Sequence, residues 1–353
     1  MDILVSAFLE RNFGDDLMIR ILADRFPGHT FYLRCDTLEN FVSFETTQNI
    51  RRIGENEDFS RFGIHVTIGG SVVRIETKSR FLIYLRSFRS QKKFFSQFPR
   101  SYFIGGNLGP FLNKTAQWMA CQIISSYTAM SLRDEWSCEF VKKRLKTPVQ
   151  LRPDIAFSIP GHMLGEPAKE KRPPVLGITA LNFFQDNNNN YHLNRFLAKA
   201  ADEFIARADS GKLKAKVRVK IFVFCAGFCN DYPSAYDIME NIGGRGNVEI
   251  IAHTGNGDNI LRELRECTHM IPVRFHGAIM SLRLGIPFVP VIYDRKIDHM
   301  LDDFGYDRTR LNFQEISKYD PAKTVAELLR MDAFALDDKV FQRAGEHFDI
   351  INN

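Results

Sequence analysis

Met270-Ile-Pro-Val-Arg274-Phe275-His276-Gly277-Ala-Ile-Met-Ser-Leu-Arg-Leu-Gly285-Ile286-Pro287 compresses a strand, a turn and a helix into one stretch. The apolar start reads as a short buried strand. From Ala278 to Leu284 the apolar positions fit a helix, stopped by Gly285 and then Pro287. Arg274 and His276 therefore fall at the carboxyl end of a strand, beside a helix amino terminus. Ligands of open α/β sheets bind at that edge. The unpaired N–H groups and the dipole of the helix favour an anion there, and a guanidinium fork matches carboxylate or phosphate. The competing reading of the same two residues is an Arg paired with an acid and a His filling a core gap.

Outward from this stretch, short apolar runs alternate with longer amphipathic ones, the pattern of parallel sheets flanked by helices. Strands are expected at Ile3 to Phe8, Phe31 to Cys35, His65 to Ile68, Tyr102 to Ile104 and Ala129 to Leu132. Helices are expected at Asp15 to Arg25 and Thr115 to Tyr127. Prolines cluster from Pro148 to Pro174 and read as a linker. The alternation then restarts, with strands at Val175 to Thr179, Val217 to Cys225, Val248 to Ala252 and Phe288 to Tyr293. Helices are expected between them at Arg195 to Ala208, Ser234 to Asn241 and Ile260 to Cys267. Asn187 to Asn190 reads as a polar loop. The chain of 353 residues exceeds one ordinary core. Two doubly wound α/β lobes around a cleft are expected, at residues 1–165 and 166–353.

Composition limits the function. Hydrophobic residues at 44% and charged residues at 25% fit a globular protein. The net charge of +5 suits anionic ligands but is mild for a nucleic-acid protein, so none is expected as partner. No leader peptide and no apolar run of bilayer length is read, which points to the cytoplasm. The six cysteines include no CxxC pair and read as reduced thiols. There is no HExxH, HxH, DxD or EF-hand loop, and no metal site is expected. GxGxxG, the P-loop and GxSxG are missing as well.

Three further strand ends could carry chemistry. Ile68-Gly69-Gly70-Ser71 and Ile104-Gly105-Gly106-Asn107-Leu108-Gly109-Pro110 would let backbone approach a ligand closely, or be plain loops. Asn12-Phe13-Gly14-Asp15-Asp16 opens the first helix, with Asp15 or Asp16 as its cap or Asp15 aimed at a ligand. In Arg133-Asp134-Glu135-Trp136-Ser137, Asp134 is the expected cap and Arg133 is free to point outward.

Together these pieces resemble the polysaccharide pyruvyl transferase family. The resemblance runs through NFGDD, the paired glycines at 69 and 70, IGGNLGPF, SLRDEWS, RPDIAF at 152 to 157 and RFHGAIMSLRLGIPFVPVIYDRK at 274 to 296. It implies a pair of Rossmann-like lobes of the glycosyltransferase-B type, a phosphoenolpyruvate donor and a ketal product on a surface polysaccharide, glycolipid or glycan precursor. No metal or other cofactor is implied. His276 is then the general acid/base, Arg274 its electrostatic partner, and Asp15 a group orienting the acceptor or the His. Arg133, Gly69, Gly70, Gly106, Asn107 and Lys296 are assigned to substrate binding. The family pattern often has a third glycine and a downstream Asp where this chain has Ser71 and Glu76. A nucleotide-sugar glycosyltransferase would share the fold, whereas a non-catalytic member would be expected to have lost Arg274 or His276.

From Lys78 to Arg100 seven basic residues and no acid are interleaved with aromatic and aliphatic side chains. The stretch is either an internal helix with solvated cations or a surface for anionic lipid, where a lipid-linked acceptor would lie.

Overall fold

In the computed structural model, residues 1–353 are described except 36, 55–56, 166–172, 184, 210–216, 244–246 and 353. The described chain divides into two units, Met1–Leu9 with Asp15–Ile159 and Asp338–Asn353, and Glu10–Gly14 with Pro160–Asp337. Each is a parallel α/β layer structure.

In chain order the first unit contains β1 (Asp2–Ala7), α1 (Phe13–Arg25), β2 (Thr30–Arg34), α2 (Leu38–Phe41), β3 (Ile50–Ile53), β4 (Ile64–Ile68) and β5 (Val73–Ile75). It continues through α3 (Lys78–Phe95), β6 (Arg100–Gly106), β7 (Leu108–Phe111), α4 (Lys114–Ile124), β8 (Ala129–Leu132), α5 (Glu135–Lys142) and β9 (Val149–Leu151). Its main sheet has the order β3-β2-β1-β4-β6-β8-β9, with every pairing parallel. β5 and β7 form a separate parallel pair. All five residues of β4 are buried, as expected of a strand covered on both faces. Helix starts are fixed by side chains. Asn113 caps α4, and Asp134 caps α5 as expected.

The second unit contains α6 (Gly161–Leu164), β10 (Val175–Thr179), α7 (Asn187–Asp209), β11 (Arg218–Val223), α8 (Tyr232–Asn241), β12 (Asn247–Ala252), α9 (Asp258–Arg265), β13 (His269–Pro272) and α10 (Phe275–Arg283). After them come β14 (Val291–Ile292), α11 (Arg295–Asp303), β15 (Leu311–Asn312) and α12 (Pro321–Leu328). The order β12-β11-β10-β13 is again parallel throughout. The chain ends with α13 (Asp338–Gly345) and α14 (Asp349–Asn352), which return to the first unit.

The division differs from a single cut at 165/166 in three places, the first being the break itself, which falls at 159/160. After β1 the segment Glu10–Gly14 joins the second unit, because Asn12 bridges Cys225 antiparallel and Phe13 N–H donates to Phe224 O at 2.8 Å. The C-terminal segment joins the first unit through buried His347, hydrogen-bonded to Ser131 Oγ at 2.8 Å and Pro153 O at 2.7 Å. The prolines from Pro148 also conceal structure: β9 extends the first sheet, and Ile155, Ala156 and Phe157 are fully buried. Residues 166–172 of that stretch lie outside the described residues.

Two local expectations are corrected. Asn187–Asn190 is the first turn of α7, since Asp186 accepts from Asn189 N–H at 3.1 Å and Nδ2 at 2.7 Å. Phe288 to Tyr293 is strand only at Val291–Ile292, with an isolated bridge from Phe288 to Met270. No helix among the described residues is long and apolar enough to cross a membrane.

Candidate active site

Each sheet reverses its strand order once, and the sequence motifs gather at those reversals, where α/β sheets bind ligands. In the first unit the reversal lies between β1 and β4. Gly69 and Gly70 follow β4 with φ of 68° and 63°, a conformation costly for residues with a Cβ. A Cβ on Gly70 would stand 3.4 Å from Asp15 Oδ1, so the paired glycines pass directly beside that carboxylate. Asn12 Oδ1 accepts from Gly14 N–H at 3.1 Å, which makes Asn12 the cap of α1. The expectation of an Asp15 or Asp16 cap is thus corrected, and both lie inside the first turn.

Backbone bonds stitch the next turns to this one. Asn107 N–H donates to Gly70 O at 3.1 Å, and Arg133 N–H to Gly106 O at 3.1 Å. Asn107 Oδ1 accepts from Ser71 Oγ at 2.9 Å and from Arg133 Nη2 at 2.8 Å. Arg133 Nη1 pairs with Asp154 Oδ2 at 2.7 Å, with side-chain exposures of 7% and 2%. Arg133 is therefore not free to point outward. A buried cation requires a buried counter-ion, and Asp154 of the RPDIAF stretch supplies it. The structure thus brings Asp15, Gly69, Gly70, Gly106, Asn107 and Arg133 to one edge, with Arg133 as a brace behind the Asn107 turn.

In the second unit the reversal lies between β10 and β13. Thr179, at the end of β10, accepts at Oγ1 from Val273 N–H at 2.7 Å and Arg274 N–H at 2.9 Å. This fixes the turn that carries Arg274 into the N-cap position of α10. His276 occupies the first turn. A Cβ on Gly14 would lie 1.8 Å from His276 Nδ1, so only glycine at position 14 admits the ring. Lys296, in the first turn of α11, sits 5.3 Å over the Phe275 ring, and Phe275 lies 5.3 Å from the His276 ring.

Arg274 is gripped from behind. Its Nε donates to Asp231 Oδ2 at 2.9 Å, and its Nη2 to Asp231 Oδ1 and to Cys229 O. Asp231 is fully buried and also accepts from Asn182 N–H at 3.1 Å and Cys225 N–H at 3.2 Å. Burial pushes the Asp231 carboxyl up, while the guanidinium opposes that shift. Burial also works against the Arg274 charge, but Asp231 more than offsets it. Arg274 thus follows the paired-Arg reading at Nε and Nη2.

The sequence did not reveal that two thiols share this corner. The two thiols are coupled: interaction with Cys225, helped by Arg274 against the effect of burial, holds the Cys229 thiol below its ordinary range. The same interaction, with burial, raises Cys225.

Fold and site define a two-lobed α/β protein of the glycosyltransferase-B type, with polar clusters at both strand-order reversals. The chain matches the polysaccharide pyruvyl transferase family over residues 12–295 and belongs to that transferase family. No curated protein sequence matches it. Among solved structures it resembles UDP-GlcNAc 2-epimerase from Neisseria meningitidis, solved with UDP-GlcNAc, at 10% identity and TM-score 0.57 over 100% of both chains. It also resembles the Methanocaldococcus jannaschii UDP-GlcNAc 2-epimerase at 8% identity and TM-score 0.56, over 99% of both chains. The putative Listeria monocytogenes enzyme matches at 10% identity and 0.56, over 99% of this chain and 95% of the other. At such identities the likeness concerns the fold.

Proposed function

We propose that this protein transfers pyruvate from phosphoenolpyruvate to two hydroxyls of a sugar, forming a cyclic ketal on a polysaccharide or glycan precursor. The observation that supports this most strongly is the first turn of α10. A proton-transfer group, His276, sits on a helix N-terminus that also gathers Arg274 and Lys296. The donor is a small dianion or trianion with nothing apolar to grip. Fixed cations and backbone N–H groups suit it better than an apolar pocket.

In this reading the second unit holds the donor and the first unit the acceptor. Lys296, Arg274 Nη1 and the N–H groups of α10 face phosphate and carboxylate. His276 delivers a proton to the methylene carbon, leaving an oxocarbenium at the adjacent carbon. One sugar hydroxyl adds there and loses its proton. The carbon–oxygen bond to phosphate then breaks, and the second hydroxyl closes the ring and loses its proton. Of the two hydroxyl protons, one restores the acid and the other leaves with hydrogen phosphate. Asp15, beside the paired glycines, orients the acceptor hydroxyls. Arg133 positions Asn107 rather than touching donor. Because phosphoenolpyruvate is a cytoplasmic metabolite, the reaction belongs in the cytoplasm.

The cations replace a metal in neutralising phosphate, so turnover proceeds without a divalent ion. Loss of turnover in EDTA, restored by magnesium or manganese, would contradict this part. The donor is tested by thermal shift. Phosphoenolpyruvate should raise the melting temperature where UDP- and GDP-sugars do not, and the reverse result would sink the reading.

A further inference from the structure

Helix α3 is unusual in that none of its residues is buried. Thr77 caps its start, accepting from Arg80 N–H at 3.2 Å. Its aromatics face inward, as the internal-helix reading has them. Phe81, Tyr84, Phe88 and Phe95 pack partly buried onto the cluster formed with β5, β7 and α4, and Tyr84 Oη donates to Val72 O at 2.9 Å. Phe94 turns to Phe59, His65 and Phe98.

What remains outside is aliphatic and cationic. Leu82, Ile83 and Leu85 are 49%, 61% and 55% exposed. Leu82, Arg86, Arg89 and Lys93 repeat at spacings of four, three and four, one stripe of a helix, and all four are exposed. Ile83 and Leu85 flank that stripe. Among the described residues Arg86, Arg89 and Lys93 have no acidic partner, and the helix contains no acid. Trp118 of α4, 6.0 Å from the Phe88 ring and also exposed, stands beside the helix.

We propose that the outer face of α3 is a docking surface for an anionic lipid bilayer. Cations alone would suit any polyanion. Three solvent-facing aliphatics within the same four residues are of no use on a phosphate backbone, whereas a bilayer interface receives both kinds of side chain. A second copy of the chain is disfavoured, since a two-fold contact would set Arg86, Arg89 and Lys93 against themselves. Bilayer binding would present the first unit to lipid-borne acceptors. That consequence rests on the proposed function, but the binding does not.

The test is co-sedimentation of the full chain with vesicles of phosphatidylcholine alone or mixed with phosphatidylglycerol, at low and high salt. Binding should require phosphatidylglycerol and weaken with salt. Arg86→Gln/Arg89→Gln/Lys93→Gln should weaken it about 10²-fold, at roughly fivefold per cation. Leu82→Ser/Ile83→Ser/Leu85→Ser should weaken it about tenfold or more without changing the melting temperature. Equal sedimentation with both vesicle types would overturn the proposal. So would an aliphatic variant that binds normally while a nucleic-acid oligomer competes, or one that merely converts a dimer to a monomer on a sizing column.

Discussion

Asp231→Asn tests the second unit's architecture at its most concentrated point. The carboxylate accepts four hydrogen bonds, from Arg274 Nε and Nη2 and from the Asn182 and Cys225 N–H groups. Asparagine keeps one oxygen and turns an NH₂ toward two of those donors, leaving Arg274 without its counter-ion. Removing one member of a buried ion pair costs about 3–5 kcal/mol. Arg274 retains 13% side-chain exposure, so the lower end, about 3 kcal/mol, is expected. At about 2–4 °C per kcal/mol for a unit of this size, the melting temperature should fall by roughly 6–12 °C. Calorimetry at neutral pH reads this directly, and added sulfate or phosphate should restore part of the loss by occupying the orphaned guanidinium. A variant melting within a degree or two of wild type, with no anion rescue, would show that the pair does not hold this corner together.

Two other outcomes follow from the same kind of reasoning. Cys229 should be alkylated by iodoacetamide with a midpoint below the ordinary ~8.5, because its interaction with Cys225 lowers the thiol; Cys225→Ala should move that midpoint up toward the ordinary value, and peptide mapping that found the wild-type midpoint already there would refute the coupling of the two thiols. Burial lowers His347 to about 4, below its unfolded value, so the stability it contributes is present at neutral pH and is lost as pH falls from about 6.5 toward 4, on the order of 3 kcal/mol. His347→Gln, which can still bond Ser131 and Pro153, should flatten the acid limb of a melting-temperature profile, leaving the part due to His65, which burial likewise lowers to about 3; an unchanged slope would contradict this.

Much of the fold was legible because parallel strands announce themselves. β1, β4, β8 and β10 were each read within a residue or so of their limits, as continuous apolar runs. β3 was not, since it is an edge strand whose middle, Arg51 and Arg52, faces solvent. The return of α13 to the first unit was invisible because its anchor, His347, is a polar residue buried by partners far along the chain. The candidate site was legible in position but not in wiring. The motif carrying Arg133 and that carrying Arg274 were both found, yet their counter-ions lie 21 and 43 residues away. Nothing in local spacing reports such a pairing, so Arg133 looked available when it is wholly committed, and the paired reading of Arg274 could be stated without its partner being named. Likewise α3 showed its composition in the sequence, but only packing separates its inward aromatics from its outward leucines and isoleucine.

In the proposed reaction His276 protonates the donor's methylene carbon during ketal formation. The direct measurement is turnover of phosphoenolpyruvate with a panel of sugar acceptors in D₂O, followed by phosphate release and by mass spectrometry and NMR of the product. One phosphate should be released per ketal formed, with a single deuterium in the new methyl group. His276→Gln should lose about 10²- to 10⁴-fold in rate while still binding phosphoenolpyruvate. Ketal formation by His276→Gln at near wild-type rate would contradict it, as would no phosphate release with any acceptor.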